Sequence, residues 1–196
     1  MTKLLLSSLL AAAVVMPGAA SAQAIPGAVV AVVDLEKVQS QCTACQSAAA
    51  TLRSQVTSLQ NREKSLAAPL ETEQKAIQTA IDALPQGKEP DAALQARIKA
   101  FQTKQQQGSQ ELARQQDQIR RNQAYIGQQI QAKLGPIYQQ VMVKRGANVM
   151  VEMGATLATA SAIDVTNDVL TALNAQLPSV QTTAPAAPAQ QKPQGR

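Results

Sequence analysis

The sequence has no Trp and no His, a single Phe, two Tyr and two Cys. Each shortage excludes something. Aromatic side chains supply much of the buried area of compact domains, so a chain this poor in them cannot fill a large spherical core. Without His, imidazole acid–base catalysis and the commonest metal ligand are missing. Two Cys cannot complete a four-ligand structural zinc site. No paired carboxylates show catalytic spacing, and no Gly-x4-Gly-Lys-Ser/Thr phosphate loop occurs. Single-strand nucleic-acid binding stacks bases on aromatic platforms, which this chain lacks, so no nucleic-acid partner is expected. The composition points away from an enzyme and calls for no cofactor and no metal.

Long apolar runs are scarce too. The one at the beginning, Leu4 to Val15, follows Lys3 and is broken by Pro17-Gly18. About a dozen apolar residues are too few to span a bilayer. Together with the small residues Ala20-Ser21-Ala22 they predict a signal peptide over 1–22, cleaved after Ala22 or, alternatively, after Ala24. No Cys follows the site, which argues against a lipoprotein. The mature protein is then exported and soluble, with about 174 residues, one domain by length.

What the chain does have is heptad rhythm. From Leu35 an apolar stripe steps by three and four through Val38, Cys42, Cys45, Ala49, Leu52, Val56, Leu59, Leu66, Leu70, Ile77 and Leu84, broken only at Glu63 and Glu73. That is a coiled-coil seam. Pro85 to Pro90 interrupts it, and a second helix returns from Leu94 with a wetter seam containing Gln105, Gly108, Gln115 and Asn122. After Ile126 the stripe slips one position to Ile130, Leu134, Ile137 and Val141, as a stutter does. Near-equal helices of about 50 and about 55 residues, each extending roughly 75–80 Å, predict an antiparallel hairpin over 35–145 with its tip at 85–90. Pro69, Gly108, Gly127 and Gly135-Pro136 lie inside these helices, as kinks or as tolerated defects.

The remainder is small. Ala28 to Asp34 is a β-branched apolar run suited to a buried strand, and Asp34 can cap the helix after it. Lys144-Arg145-Gly146 is a helix stop. Ala147 to Glu152 and Thr156 to Ala160 predict two more strands, and a last helix opens near Ile163 with Asp164 or Thr166 as its cap. The segments 28–34 and 146–176 would form a β-body, and 178–196, rich in Pro, Ala and Gln, a disordered tail. The fold class is α+β, mostly α: a long helical hairpin arm on a small β-body with a short C-terminal helix. Three strands and a helix are too little to hold such arms alone, so oligomerisation through the body is expected.

These features resemble the Skp/OmpH family of periplasmic chaperones. The resemblance rests on Ala31-Val-Val-Asp-Leu35, Leu134-Gly-Pro-Ile137, Asn148-Val-Met-Val-Glu152 and Ile163-Asp-Val-Thr-Asn-Asp-Val-Leu170, and spans Ala28 to Asn174. It implies a homotrimeric, jellyfish-like assembly in the periplasm, with arms around a cavity. It also implies ATP-independent holding of unfolded outer-membrane β-barrel proteins. The Cys pair and the roughly 20 residues after the last helix depart from the family's pattern. The alternative reading is a structural coiled-coil envelope scaffold or spacer. A spacer should have filled seams and few helix breakers, which these arms do not.

Removing Lys3 leaves 17 basic and 13 acidic residues, and 35–145 alone carries 15 against 9. A positive cage attracts acidic clients over a Debye length of about 8–10 Å, and permits weak contact with an anionic membrane surface. Candidate client-contacting cations are Arg62, Lys64, Lys75, Arg97, Lys99, Lys104, Arg114 and Arg120. Several should pair locally, for instance Asp117 with Arg121. Cys42-x-x-Cys45 places two sulfurs on one side of a helix. An oxidoreductase would need a βαβ context that is absent, which leaves a local disulfide or a pair of thiols in the seam.

Overall fold

The computed structural model describes residues 26–186. The segments 1–25, with the expected signal peptide, and 187–196, the end of the tail, lie outside the described residues. Val30–Val33 forms β1 and Val149–Glu152 forms β2, paired in parallel from Val30↔Val149 to Val33↔Glu152. A parallel pair needs a crossover between its strands. Here the crossover is the entire hairpin arm, so both long helices leave from and return to one small sheet.

Asp34 turns the chain from strand to helix. Its Oδ1 accepts the Lys37 N–H at 2.8 Å and so caps α1, Leu35–Gln41. The outgoing helix is not continuous as the periodicity predicts. Cys42 is extended (φ −61°, ψ 125°), and α2 restarts at Thr43 and runs to Asp82, through Pro69. A tertiary partner explains the break. The Thr43 N–H, orphaned at the new helix start, donates to Asn174 Oδ1 at 2.9 Å, while Cys42 Sγ accepts the Cys45 N–H at 3.2 Å. Beyond the break Leu52, Leu59, Leu66, Leu70, Ile77 and Leu84 keep the predicted stripe on the less exposed side, but Ala48 is buried and Gln55 half-buried where Ala49 and Val56, on that stripe, face solvent.

At the tip Gly87 takes φ 75° and the Lys88 N–H donates to the Pro85 carbonyl at 3.0 Å, closing a turn that a side chain at Gly87 would strain. Asp91 caps α3, Ala92–Arg145, by accepting the Leu94 N–H at 2.8 Å. Gly146 ends it in the left-handed conformation at φ 66°. Helices of 40 and 54 residues reach about 60 and 80 Å at 1.5 Å per residue. On α3 the buried side is Gly108, Asn122, Ile126, Leu134, Ile137 and Val141, a run that contains the slip after Ile126, while Gln105 is exposed.

The strand expected over Thr156–Ala160 does not form. Short 3-10 turns occupy Met153–Ala155 and Ser161–Ile163, and Val32 instead makes a single parallel bridge to Asp164. A strand requires a partner, and residues 156–160 find none among the described residues; Leu157 is wholly exposed. α4, Thr166–Gln176, begins after Asp164, whose Oδ1 accepts the Thr166 N–H at 2.8 Å. Thr166 is buried and its Oγ1 accepts the Asp34 N–H at 2.9 Å, tying the start of α4 to the start of α1. The core gathers Ala31 and Val33 of β1, Val38, the two Cys, Leu134, Ile137, Val141, and Val165, Val169, Leu173 and Leu177. It sits where the arms meet the sheet.

The tail departs from expectation at its beginning. Residues 178–186, read from composition as disordered, run back along the arms. Val180 packs on the core, and Gln181, Thr182 and Ala184 are hydrogen-bonded to α2 and α3. Proline and alanine cannot form a core of their own, but a preformed surface of hydrogen-bonding side chains lets such a segment order.

Candidate functional site

The arms are two helices whose long-range partner, over most of their length, is each other. Two bidentate ion pairs clasp them: Arg62 to Glu111 at 2.7 and 2.9 Å, and Arg97 to Glu73 at 2.6 and 2.9 Å. The fork of Arg matches a carboxylate in this geometry and fixes relative register better than Lys would. The hydrogen bond from Arg62 holds the Glu111 carboxyl below its ordinary pKa, against an opposing desolvation, and Arg97 does the same for Glu73. Both pairs are solvent-exposed, so they set register more than stability.

Between the clasps the arms leave a groove of about 470 Å³, lined by Leu66, Pro69, Leu70, Lys104, Gln107 and Gly108 together with Arg62, Glu111 and Glu73 of the clasps. Gly108 is buried there against Leu66, whose Cδ1 would stand 3.6 Å from an added Cβ. A second groove of about 390 Å³ lies nearer the body and is uncharged, with Gln55, Ser58, Gln115, Gln118, Ile119 and Asn122 along it.

The eight cations proposed from sequence divide evenly. Arg62 and Arg97 are the clasps; Lys75 pairs with Glu71 at 2.8 Å, and Arg120 with Asp117. The expected partner of Asp117 was Arg121, which instead reaches Gln118, one turn back on its own side of the helix. Lys64, Lys99, Lys104 and Arg114 are exposed, with no acidic partner in salt-bridge range among the described residues. Those four keep their charge available to a ligand.

Cys42 and Cys45 are joined in a disulfide with Cα atoms 5.1 Å apart. Cys42 is fully buried and Cys45 nearly so, under the side chains of the core. Burial of Cys42 keeps its sulfur from a thiolate of another molecule, which argues against redox exchange there. No group of three or more His, Cys, Asp or Glu among the described residues could hold a metal ion, and no described helix is long and apolar enough to cross a membrane.

The body has an uncovered side. Of the large apolar residues left exposed among the described residues, Val29, Val30, Val143, Val149 and Leu157 belong to the body or the adjoining helix end, and Val56 and Ile81 to the rest of the arms. A two-stranded sheet is marginal by itself. At its rim, Arg145 donates to Asp168 at 2.8 Å and Lys144 lies 3.3 Å away, so the last turn of α3 holds the first turn of α4. These hydrogen bonds, Arg145 first, keep the Asp168 carboxyl below its ordinary pKa.

Sequence reasoning missed one set of residues: Gln55, Gln118, Asn122, Tyr125 and Gln129, which bind the returning tail. The signal was the polar seam itself, since Asn122 on a coiled-coil stripe is an amide that demands a partner.

The fold and site define a class: a helical-hairpin protein in which two long arms rise from a small parallel β-body. The family model for Outer membrane protein (OmpH-like) matches residues 29–173, and the chain belongs to that family. Among solved structures, it is similar to an OmpH-like protein of Caulobacter crescentus, described as a candidate outer membrane chaperone. The TM-score is 0.68 at 18% identity, covering 86% of this chain and 95% of that one. No curated protein matches the sequence.

Proposed function

We propose that this protein is an ATP-independent periplasmic holdase, not an enzyme, that shelters unfolded outer-membrane proteins between the arms of a homotrimer. The observation that carries the reading is the combination of long helices partnered chiefly by one another with a body that, beside its small core, leaves Val29, Val30, Val149 and Leu157 exposed. Val29, Val30, Val149 and Leu157 would be buried by body-to-body contact, with the free edge of β2 offering main-chain hydrogen bonds. Arms then surround a shared space. Their wall is mostly polar, with shallow grooves and the unpaired cations Lys64, Lys99, Lys104 and Arg114.

Such a wall suits a client that must remain unfolded. Many weak polar and electrostatic contacts lower its effective freedom to aggregate without offering a deep pocket from which release would be slow. The similarity to an OmpH-like protein of Caulobacter crescentus, and membership of that family, support the same direction. The test is to dilute a denatured outer-membrane protein into low-salt buffer with and without the mature protein, and to follow light scattering. Suppression at one trimer per client is expected, declining as salt is raised. Unchanged scattering at that ratio refutes the holdase reading, and a monomeric mass by sedimentation refutes the cage.

A further inference from the structure

The tail segment Pro178–Ala186 is held in an unusual way. Beyond Val180, which packs on the core, its main chain more than its side chains is what the arms grip. Gln129 accepts the Gln181 N–H at 2.9 Å and donates to the Gln181 carbonyl at 2.9 Å. Further along, Asn122 accepts the Ala184 N–H at 2.8 Å, while Gln118 donates to the Ala184 carbonyl at 3.4 Å. Gln55 approaches the Thr182 carbonyl at 3.5 Å. A primary amide carries the same donor and acceptor as a peptide group, so each Gln or Asn pairs with a residue's main chain much as a neighbouring strand would.

The amides are braced against one another. Asn122 is 3% exposed, donates to Gln55 Oε1 at 3.0 Å, and shares its Oδ1 with Gln118 at 2.8 Å. These internal bonds, with that of Gln129 to the Tyr125 carbonyl, hold the amides in place, and the capacity left over is met by the peptide main chain: Asn122 Oδ1 and Gln129 Oε1 accept its N–H groups while Gln118 and Gln129 donate to its carbonyls. Among side chains of the strap, only that of Gln181 is bonded, by the Tyr125 hydroxyl at 3.2 Å. The uncharged groove also continues toward the tip, past Thr183, along Ser58 and Gln115.

We infer that Gln55, Gln118, Asn122 and Gln129 form a binding site for an extended, uncharged segment of unfolded polypeptide, and that the protein's own tail is its resident occupant. Because recognition is by main chain, any extended stretch with small side chains satisfies it. Naming that occupant as client chain rests on the holdase reading; the receptor itself does not. The tail reaches the site through a few residues after Leu177, so its effective concentration is in the millimolar range, and a segment arriving from another molecule must displace it. The strap sets a threshold: weakly exposed segments are refused, and long unfolded ones, with many competing stretches, are admitted.

The test uses the full mature chain and a fluorescein-labelled peptide with the sequence of residues 178–186. The double variant Gln181→Pro with Ala184→Pro removes both strap N–H donors and leaves the arms untouched. By fluorescence anisotropy it should bind the peptide about tenfold or more tightly than the wild type does. Adding Gln129→Ala, at a half-buried position on α3, should abolish that gain. In the wild type, hydrogen exchange at the Gln181 and Ala184 amides should be slowed relative to Thr183. Equal and fast exchange at all three amides overturns the strap. Protected amides with no peptide binding by the released variant overturn the receptor. Because the readout is peptide binding, a failed light-scattering assay with intact peptide binding would count against the holdase alone.

Discussion

Gly108→Ala tests how tightly the arms are built to close. Gly108 is helical, so Ala is compatible with its backbone. Replacing an interior helix Gly by Ala stabilises by about 1 kcal/mol through propensity alone. The added methyl would meet Leu66 Cδ1 at 3.6 Å, an ordinary van der Waals contact, so no overlap opposes the gain. Burying part of that methyl against Leu66 adds a few tenths of a kcal/mol. The expected total, about 1–1.5 kcal/mol, raises Tm by roughly 2–5 °C for a domain of this size. Gly127→Ala is the internal control, because nothing lies within 4 Å of its added Cβ and propensity alone acts. Thermal melts followed by helical circular dichroism read both. A lower Tm for Gly108→Ala would show that the arms approach more closely there than the structure places them. The stiffer arm also decides why glycine is there. Weaker client retention with higher Tm identifies Gly108 as a hinge; unchanged retention identifies it as a tolerated defect.

Leu173→Ala, at a fully buried position on α4, should cost about 2–5 kcal/mol, whereas Leu70→Ala on the half-exposed arm seam should cost nearer 1 kcal/mol, both read by denaturant melts. Equal losses would contradict a core seated at the body. Asp168 has a depressed folded-state pKa, so its contribution is present above the unfolded carboxylate pKa of about 3.9 and is lost as pH falls through the lower folded value. Asp168→Asn should therefore lower Tm at pH 6 and flatten its decline below pH 4; an unaltered profile would exclude the contact with Arg145 as its source. Neutralising Lys64, Lys99, Lys104 and Arg114 together to Gln should weaken client capture at low salt and reduce its salt dependence, while the same change at Lys75 and Arg120 should do less. Indistinguishable salt slopes would mean that the unpaired cations do not face the client.

Much of the architecture was written in local pattern. Heptad spacing, the Pro85–Pro90 interruption, Asp34 as a cap and Gly146 as a stop are local signals, because helix periodicity and end-capping depend on residues within one turn. The slip after Ile126 was legible for the same reason. What the pattern could not decide were events that need a distant partner. At the Cys42 break Asn174 receives the Thr43 N–H, and on the arm beyond it Gln55 rather than Val56 lies on the less exposed side, although Leu52 and Leu59 keep their predicted places. Thr156–Ala160 has the residues of a strand and no strand to lie beside. The choice of Arg62 and Arg97 as clasps, leaving Lys64 and Lys99 unpaired, follows from which carboxylates the opposite helix brings across. The tail shows the distinction most plainly. Its composition forbids a core of its own, and order comes to Pro178–Ala186 only because a row of amides, gathered from two helices, offers its main chain the hydrogen bonds that water would otherwise supply.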